Sequence, residues 1–438
     1  MFLPEYVRQC MALLEEAGYP CYAVGGCVRD DCLGLTPHDY DLCTAATPKV
    51  MEKLFSHRQL VLAGEKHGTV GVVTEGGVVE ITTFRTEGSY EDSRHPDYVN
   101  FVGDVNEDLA RRDFTVNAMA YSPTRGFADP FGGREDLHNQ ILRAVGDPAT
   151  RFTEDALRIL RGVRFAVRFD LTPEEDTMNA MVSLAPRMEK LAAERVFDEL
   201  CKLLPLVTAE DLLRYAPILT TVIPELAPTV GFDQRSPHHT YDVFTHTAYV
   251  VESSPADLTL RWAALLHDIG KVDTFSLDEN GRGHFYDHAE VSAQMADGIL
   301  RRLKAPNSLR ERVVFLIVKH MIPTEPDKKL LRRRLSRYGE DAFRELLALQ
   351  KADFCSKGVT GDDPQFEEIH RLLEEILQEE GCLRICDLAV NGHDLMALGI
   401  QGKAIGETLE RLLSFVLDER IPNEKEALIS AICKEETS

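Results

Sequence analysis

The chain has no excess of positive charge. Its 49 Lys and Arg are set against 72 Asp and Glu, a net charge of -23, whereas a protein that bound polyanions indiscriminately would show a basic overall balance. Any contact with nucleic acid must therefore be local. There is also no run of 18 or more apolar residues, the length a membrane-spanning helix requires. The segment from Met1 to Gly18 is acidic and amphipathic, without the basic start and apolar core of an export signal. A soluble, cytoplasmic protein with no membrane partner is expected. Ten cysteines include no CxxC pair; the nearest grouping is Cys21, Cys27, Cys32 and Cys43, which predicts reduced, mostly buried thiols rather than disulfides or a zinc knuckle. Internal repeats and low-complexity tracts are absent, and nothing points to an obligate protein partner.

What is present is enough apolar material, 44% over 438 residues, to fill about three ordinary cores. From Tyr22 to about Tyr121, short β-branched runs such as Thr69 to Thr74 and Val78 to Thr83 alternate with glycine turns, which predicts a mixed α/β head. A polar stretch from Arg85 through Asp92 and Arg94 to Pro96 is longer than a hairpin needs, as functional, mobile loops often are. After the turn-rich joint Asp129-Pro130-Phe131-Gly132-Gly133 the pattern becomes helical to its end. Leu191 to Leu204 reads as one helix, Pro224 to Pro237 as a break, and Gly358 to Glu380 as a polar, acidic connection. The expected organisation is a head (1–140), a helical neck (141–235), a histidine-rich unit (236–360) and a helical tail (361–438).

Gly25-Gly26-Cys27-Val28-Arg29-Asp30, followed by His38-Asp39-Tyr40-Asp41, joins a glycine turn to two carboxylates one residue apart. In extended backbone Asp39 and Asp41 point the same way, about 7 Å apart. Such a pair can hold magnesium, which takes hard oxygen ligands and substrate phosphates; the plainer alternative is an Asx-type turn. Gly25 and Gly26 would let backbone approach a triphosphate, with Arg29 on phosphate, or would simply turn a strand into a helix. Arg111-Arg112-Asp113 and Asn117 set guanidiniums suited to phosphate beside a carboxylate suited to ribose hydroxyls, or form a surface ion-pair cluster. Thr153 reads as the N-cap of a helix on which Phe152 staples to Leu157 and Asp155 and Arg158 share a face at i, i+3. That pair is an ordinary ion pair or an acceptor and donor for a base edge. Two basic runs, Arg158-Arg161-Arg164-Arg168 and Lys328 to Arg337, are the first places to look for RNA contact, although a charge run is usually a solvated face.

Taken in order, Gly25-Gly26, Arg29-Asp30, Asp39-x-Asp41, Arg111-Arg112-Asp113, Asp129-Pro-Phe-Gly-Gly, Glu154-Asp155-x-x-Arg158 and Glu194-Arg195-x-x-x-Glu199 resemble the class II tRNA nucleotidyltransferases, the CCA-adding enzymes. The similarity is strong over roughly the first 205 residues. It is looser in the tail from Asp387 through Asn391, Gly392 and Asp394 to Gly399, which is similar to a tRNA-anchoring region. The resemblance implies a polymerase-beta-like palm with a mixed sheet, then an all-α neck, an HD domain and a tail. It implies that Asp39 and Asp41 bind catalytic Mg2+ and that Gly25, Gly26 and Arg29 hold the triphosphate. Asp113 would contact ribose, with Arg112 and Asn117 framing the nucleotide and Arg161 beside them. Asp155 and Arg158 would pair with CTP and then ATP, Glu194 and Arg195 would buttress their helix, and Asp129 to Gly133 would be a hinge. The loop with Arg85, Asp92 and Arg94 resembles the flexible element needed for switching to ATP. The partners implied are tRNA, CTP and ATP.

His246, His267-Asp268 in Leu-Leu-His-Asp-Ile-Gly-Lys271, His288, His320 and Asp353 resemble an HD-type metal phosphohydrolase. Histidine nitrogens and aspartate oxygens without thiolates suit Mn, Ni, Co, Fe or Mg2+. Two alternatives stand beside the leading reading. One is a poly(A) polymerase of the same superfamily, although Ala63 to Val70 resembles the CCA-adding form. The other is an HD phosphohydrolase whose head is a non-catalytic RNA-binding module.

Overall fold

The head is built on strands whose residues leave little choice of side. In Thr69–Thr74 and Gly77–Thr83, β-branched residues alternate about a tight turn at Glu75-Gly76, and the register pairs Thr74 with Gly77 and Thr69 with Thr82. Alternation buries Val79, Ile81 and Thr83 and leaves Glu80 on the open face. The strands are β1 (Cys21–Val24), β2 (Leu42–Thr44), β3 (Leu60–Val61), β4 (Thr69–Thr74), β5 (Gly77–Thr83), β6 (Arg85–Glu87), β7 (Val99–Phe101), β8 (Ala120–Ser122) and β9 (Gly126–Ala128). Seven form one mixed sheet in the order β3-β4-β5-β2-β1-β8-β9, with β2 and β5 parallel and the other pairs antiparallel. β6 and β7 pair separately. The core on which the site rests includes Val24, Cys43, Phe84, Leu109, Ala120 and Val145.

This computed structural model describes residues 1–87, 99–237, 240–358, 364–379 and 381–435. Asp92 and Arg94 of the expected flexible loop lie outside the described residues. Among those described, no helix is long and apolar enough to cross a membrane. The chain divides into two compact units, Met1–Val207 with Arg214–Pro224, and Thr208–Leu213 with Glu225–Ser438.

In the first unit the head is followed by helices Pro148–Glu154, Leu157–Phe169, Glu175–Leu184 and Ala193–Leu203. Phe114, from the head sequence, meets Phe152 at 6.2 Å and Phe165 at 6.0 Å between ring centroids; such aromatic pairs contribute about 0.5–1.5 kcal/mol each beyond area burial. The expected helix start at Thr153 is not found. Asp147 caps Pro148–Glu154 by accepting from the Thr150 amide, so Thr153 lies inside that helix and Phe152 packs on Phe114 rather than stapling Leu157.

In the second unit, helices Val243–Ser253, Leu258–Leu266, His288–Arg302, Asn307–Lys319 and Glu340–Cys355 pack together, with a hairpin Phe275–Leu277/Gly283–Phe285 inserted before the third. The acidic stretch expected as a connection contains a helix, Pro364–Gln378, because Phe366, Ile369, Leu373 and Ile376 recur at helical spacing. It packs Ile369, Leu373 and Ile376 on Leu331, Leu335 and Phe343. The tail has its own small core of Leu388, Val390, Leu395, Leu412, Leu428 and Ile432. There Asn391 and Asp394 form a reciprocal capping box on Gly392–Ala397.

Candidate functional site

Most of the expected head residues converge on one cleft of about 480 Å³, lined by Gly25, Gly26, Arg29, Asp41, Arg112, Asp113, Asn117, Asp155, Arg158 and Arg161 among others; Asp39 is exposed and is not part of its lining. Gly25 ends β1 with φ +73°, a conformation L side chains rarely adopt, and a Cβ there would sit 2.8 Å from Arg112 Nη1. Glycine therefore lets that guanidinium lie against the turn. Arg29 is buried: it donates to Asp30 Oδ1 and to Asn117 Oδ1, and lies 4.1 Å over the Phe169 ring.

Asp41 leads into β2, and its carbonyl accepts from the Val24 amide at 3.0 Å. Asp41 meets solvent over part of its surface, but the protein packed around its carboxyl desolvates it. That burial, with the negative charges of Glu80 and Asp39, pushes the carboxyl above its ordinary value against the pull of Arg112. Parallel pairing of Leu42 with Ile81 sets Glu80 level with Asp41 on the open face. Carboxylates that influence one another in this way are hard-oxygen donors of the kind magnesium takes, so Asp41, with Glu80 and Asp39 acting on it, fits that ion. Glu80 was missed by sequence reasoning; its signal was an acid at the exposed position between buried Val79 and Ile81. Cys27, packed next to this cleft, has its thiol pushed to about 12 by burial and by Asp41, which leaves it unreactive. The ten cysteines are all free, but only Cys10, Cys21, Cys27 and Cys43 are buried, fewer than expected.

The remaining cleft groups are held by one another. Asp113 is buried: its Oδ1 accepts from the Phe114 amide and Asn117 Nδ2, and its Oδ2 from Arg161 Nε and Nη2 at 2.9 and 2.7 Å. Burial alone would raise its pKa, but Arg161 and Asn117 bring it down to about 2. All four of its lone-pair sites are in use, so a ribose hydroxyl would have to share or displace one. Asp108, fully buried and also unforeseen, accepts from Arg111 Nε and Nη2 at 3.0 and 2.9 Å and lies 3.5 Å from Arg112 Nη2. Its Oδ1 also accepts from the Arg85 amide at 3.2 Å.

Asp155 and Arg158 are brought together, but not as an i, i+3 pair on one helix. Asp155 is extended, φ -141°, between Pro148–Glu154 and Leu157–Phe169, and its Oδ1 accepts from the Leu157 amide. A short acid able to bond a nearby amide favours such a break over a continuous helix. Its Oδ2 accepts from Arg195 Nη2 at 2.8 Å, while Glu194 is exposed in the first turn of Ala193–Leu203. Arg158 donates to Glu154 at 2.6 Å and to the carbonyls of Arg151 and Arg111. Three of its five N–H groups are used.

The first basic run is not a solvated face, whereas the second carries its ion pairs on the surface. Arg161 binds Asp113, Arg164 is buried with its Nε 2.6 Å from Glu199 Oε2, and of that run only Arg168 is exposed. In the other, Lys328 meets Glu375 and Glu379, Arg332 meets Glu379 and Glu419, and Arg333 meets Asp418. Lys329 and Arg337 remain exposed.

The six histidine-site residues also meet. His246 and Asp353 approach at 3.0 Å, His267 and Asp268 at 3.1 Å, His288 and Asp268 at 3.3 Å, and His320 and Asp268 at 3.9 Å. Each imidazole Nδ1 meets a backbone carbonyl, of Ser356, Ala264, Phe285 or Ile317, at 2.6–3.3 Å. In the neutral tautomer a metal requires, Nδ1 would donate to that carbonyl and Nε2 would point inward as a lone pair. Nε2 of His267, His288 and His320 and Oδ2 of Asp268 are buried without a hydrogen bond. Burial and the nearby His267 lower His320 to about 4, keeping it neutral. Burial opposes ionisation of Asp268, but His267 and Lys271 hold it well below the usual carboxylate range. Two sets of ligand atoms, His246-His267-Asp268 and Asp268-His288-His320, each lie within 4.8 Å. Orphaned inward nitrogens around a shared anionic carboxylate fit divalent cations. Lys271 Nζ, 2.7 Å from Asp268 Oδ2, and Lys357 Nζ, 3.4 Å from Asp353 Oδ2, adjoin the cluster.

Three family profiles match. One is described as Poly A polymerase head domain, over residues 21–143; one as "Probable RNA and SrmB- binding site of polymerase A", over 170–229; and one as tRNA nucleotidyltransferase domain 2, over 282–432. The chain is similar to the CCA-adding enzyme of Levilactobacillus brevis, 34% identical over 429 residues, 98% of this chain and 97% of the relative. It is 33% identical to that of Streptococcus mutans over 438 residues, covering 99% and 98% of the two chains. Among solved structures it resembles the Bacillus stearothermophilus CCA-adding enzyme in complex with CTP, with a TM-score of 0.75 at 27% identity and 100% coverage of both chains.

Proposed function

This chain belongs to the CCA-adding enzymes, and on that footing we propose which of its residues do the work. It adds C, C and A to the 3′ end of tRNA from CTP and ATP, releasing pyrophosphate. Full-length relatives that are CCA-adding enzymes favour this over the poly(A) polymerase and non-catalytic-head alternatives. A substrate of this kind supports a cytoplasmic location. The observation that carries the residue assignment is the single cleft in which Asp41, Arg112, Asp113, Asp155, Arg158 and Arg161 converge.

In the reaction the tRNA 3′-hydroxyl attacks the α-phosphorus in line, the new ester bond forms, the bond to the β-phosphate breaks, and the hydroxyl proton is lost. Asp41, with Asp39 and Glu80, would hold magnesium, which would supply charge at the attacking and leaving oxygens when bound. Arg112, laid against Gly25 and with its buried Nε unpaired, binds the triphosphate. Asp113 and Asn117 set the ribose edge, and Arg161 holds Asp113 in place and ionised. Asp155 and Arg158 read the base with the acceptor and donor capacity their internal bonds leave over, and Arg195 keeps Asp155 aimed. Tested with tRNA transcripts ending before CCA, after C and after CC, with CTP and ATP supplied separately, the protein should extend each by the missing residues only. An Arg158→Ala variant should lose the C-to-A order, and unchanged selectivity would remove protein templating.

For the second unit we infer a metal-dependent phosphohydrolase centre. Support comes from the orphaned inward nitrogens of His267, His288 and His320 around Asp268. These residues with His246 and Asp353 would hold one or two divalent cations, and the bound metal would supply an activated water for phosphoester cleavage. Elemental analysis of the purified protein, with hydrolysis of 2′,3′-cyclic phosphates, tests this against His267→Ala and Asp268→Ala; a metal-free, inactive wild type would end it.

A further inference from the structure

The short helix Val105–Ala110 sets Asp108 in the core of the head, with no exposed surface. Spacing of three and four residues returns Arg111 and Arg112 to the same side, so one buried carboxylate faces both guanidiniums. Asp108 Oδ1 accepts from Arg111 Nε and Nη2 and from the Arg85 amide, while Oδ2 lies 3.5 Å from Arg112 Nη2. The carboxylate also lies close to the strand that carries the metal-type acids. There the thiol of Cys43, two residues after Asp41, is pushed up by burial and then by the charge of Asp108.

A buried acid needs cations, and neutralising Asp108 is one use for the two arginines. The cleft gives them a second. Both line it, and Arg112 is gripped at two points, with Nη1 against the Gly25 turn and Nη2 towards Asp108. Its Nε is buried without a hydrogen bond. A guanidinium has five donors, so one aimed from behind by a carboxylate keeps N–H groups for an anion in front. Asparagine could not replace that carboxylate. Its single oxygen could stay with Arg111 and the Arg85 amide only by turning its NH2 group on Arg112, donor against donor, and the reverse orientation would set that group against Arg111.

We propose that Asp108 is a positioning residue for the nucleotide, holding Arg112 in the orientation that receives the triphosphate. The inference rests on the assignment of the triphosphate to Arg112. Both substrates bring the same triphosphate, so the loss of Asp108 acts alike on CTP and ATP. With tRNA ending after C for CTP and after CC for ATP, Asp108→Asn should raise both nucleotide KM values by about ten- to a hundredfold, the range of one charge-assisted hydrogen bond. The inhibition constant of pyrophosphate, which carries no base or sugar, should rise with them. KM for tRNA and kcat at saturating nucleotide should stay within about twofold of wild type, as for a contact made equally before and during reaction. In an Arg112→Ala background, itself raised in KM, Asp108→Asn should add less than about twofold, because its effect runs through that arginine. Unchanged KM values in Asp108→Asn, or two fully additive effects, overturn the positioning role and leave the triphosphate assignment standing. An Arg112→Ala variant with wild-type KM removes both. A rise confined to ATP also overturns the role, since the effect would then run through the ribbon of β6 and β7 that Arg85 opens. Loss of kcat at unchanged KM, or failure of both Asp108→Asn and Asp108→Ala to fold, makes Asp108 a support of the head's core and nothing more.

Discussion

The head cleft and the histidine cluster both gather buried ionisable groups, yet they satisfy them differently. In the cleft, Asp113 has four hydrogen bonds, Asp108 is wrapped by Arg111 and Arg112, and Glu199 is paired with Arg164. In the cluster, the Nε2 atoms of His267, His288 and His320 are buried with no hydrogen bond. A buried polar group without a partner costs about 1–3 kcal/mol, so a chain keeps such groups together only where something else completes them. The cleft is preorganised, its arginines already aimed for an anionic ligand, whereas the cluster is complementary to cations.

The sharpest way to break the comparison is at the metal-type carboxylates of the head. Asp41→Ala should lower nucleotide incorporation by about a thousandfold or more, the effect of several kcal/mol at the reacting oxygens, while tRNA retention in a filter assay stays near wild type. Hydrolysis of 2′,3′-cyclic phosphates by the second unit should be untouched. Incorporation surviving the change would sink the assignment of Asp41.

Next in size is the buried pair Arg164 and Glu199, whose side chains are 9% and 6% exposed. Glu199→Ala should destabilise the first unit by about 3–5 kcal/mol, because a desolvated guanidinium is left uncompensated. Arg164→Met together with Glu199→Leu should recover most of this in denaturant titrations. A double variant no more stable than Glu199→Ala would mean that Glu199 is not what compensates Arg164.

Acid offers a smaller effect of known sign. The Asp113 pKa is depressed to about 2 in the folded protein from an ordinary 3.8. Its contribution to stability, about 2 kcal/mol, is therefore present above pH 4 and is lost as pH falls through about 2. The stability gap between wild type and Asp113→Asn should narrow over that window; a constant gap would show that the carboxylate charge is not what Arg161 holds. Smallest of all, Lys329→Ala and Arg337→Ala should each reduce the salt slope of tRNA binding by about 1 if they touch phosphate. An unchanged slope removes them from the RNA-binding surface.

Much of this was readable locally. Alternation in Thr69–Thr74 and Gly77–Thr83 fixed two strands and the face of each residue, because a period of two leaves a half-buried strand one register. Asp39-x-Asp41 and the histidine set were visible as residue types. The break at Asp155 was not, since an acid near a helix start reads the same as a first-turn residue or as a cap between two helices. The arginine run Arg158 to Arg168 misled for a related reason: charge at helical spacing looks alike whether it faces water or carboxylates. Glu80 carried no motif and became visible only when β5 was laid beside β2.

The sequence by itself determined the mixed head, the helical remainder, the glycine turn beside paired acids and the family, because period, turn chemistry and ordered motifs are properties of nearby residues. Tertiary structure decided that Arg161 reaches Asp113 across 48 positions and that His246 meets Asp353 across 107. It also decided that Arg161 and Arg164 are spent on buried carboxylates. Such pairings depend on which helix faces pack, and on how many hydrogen bonds each buried charge has left to make.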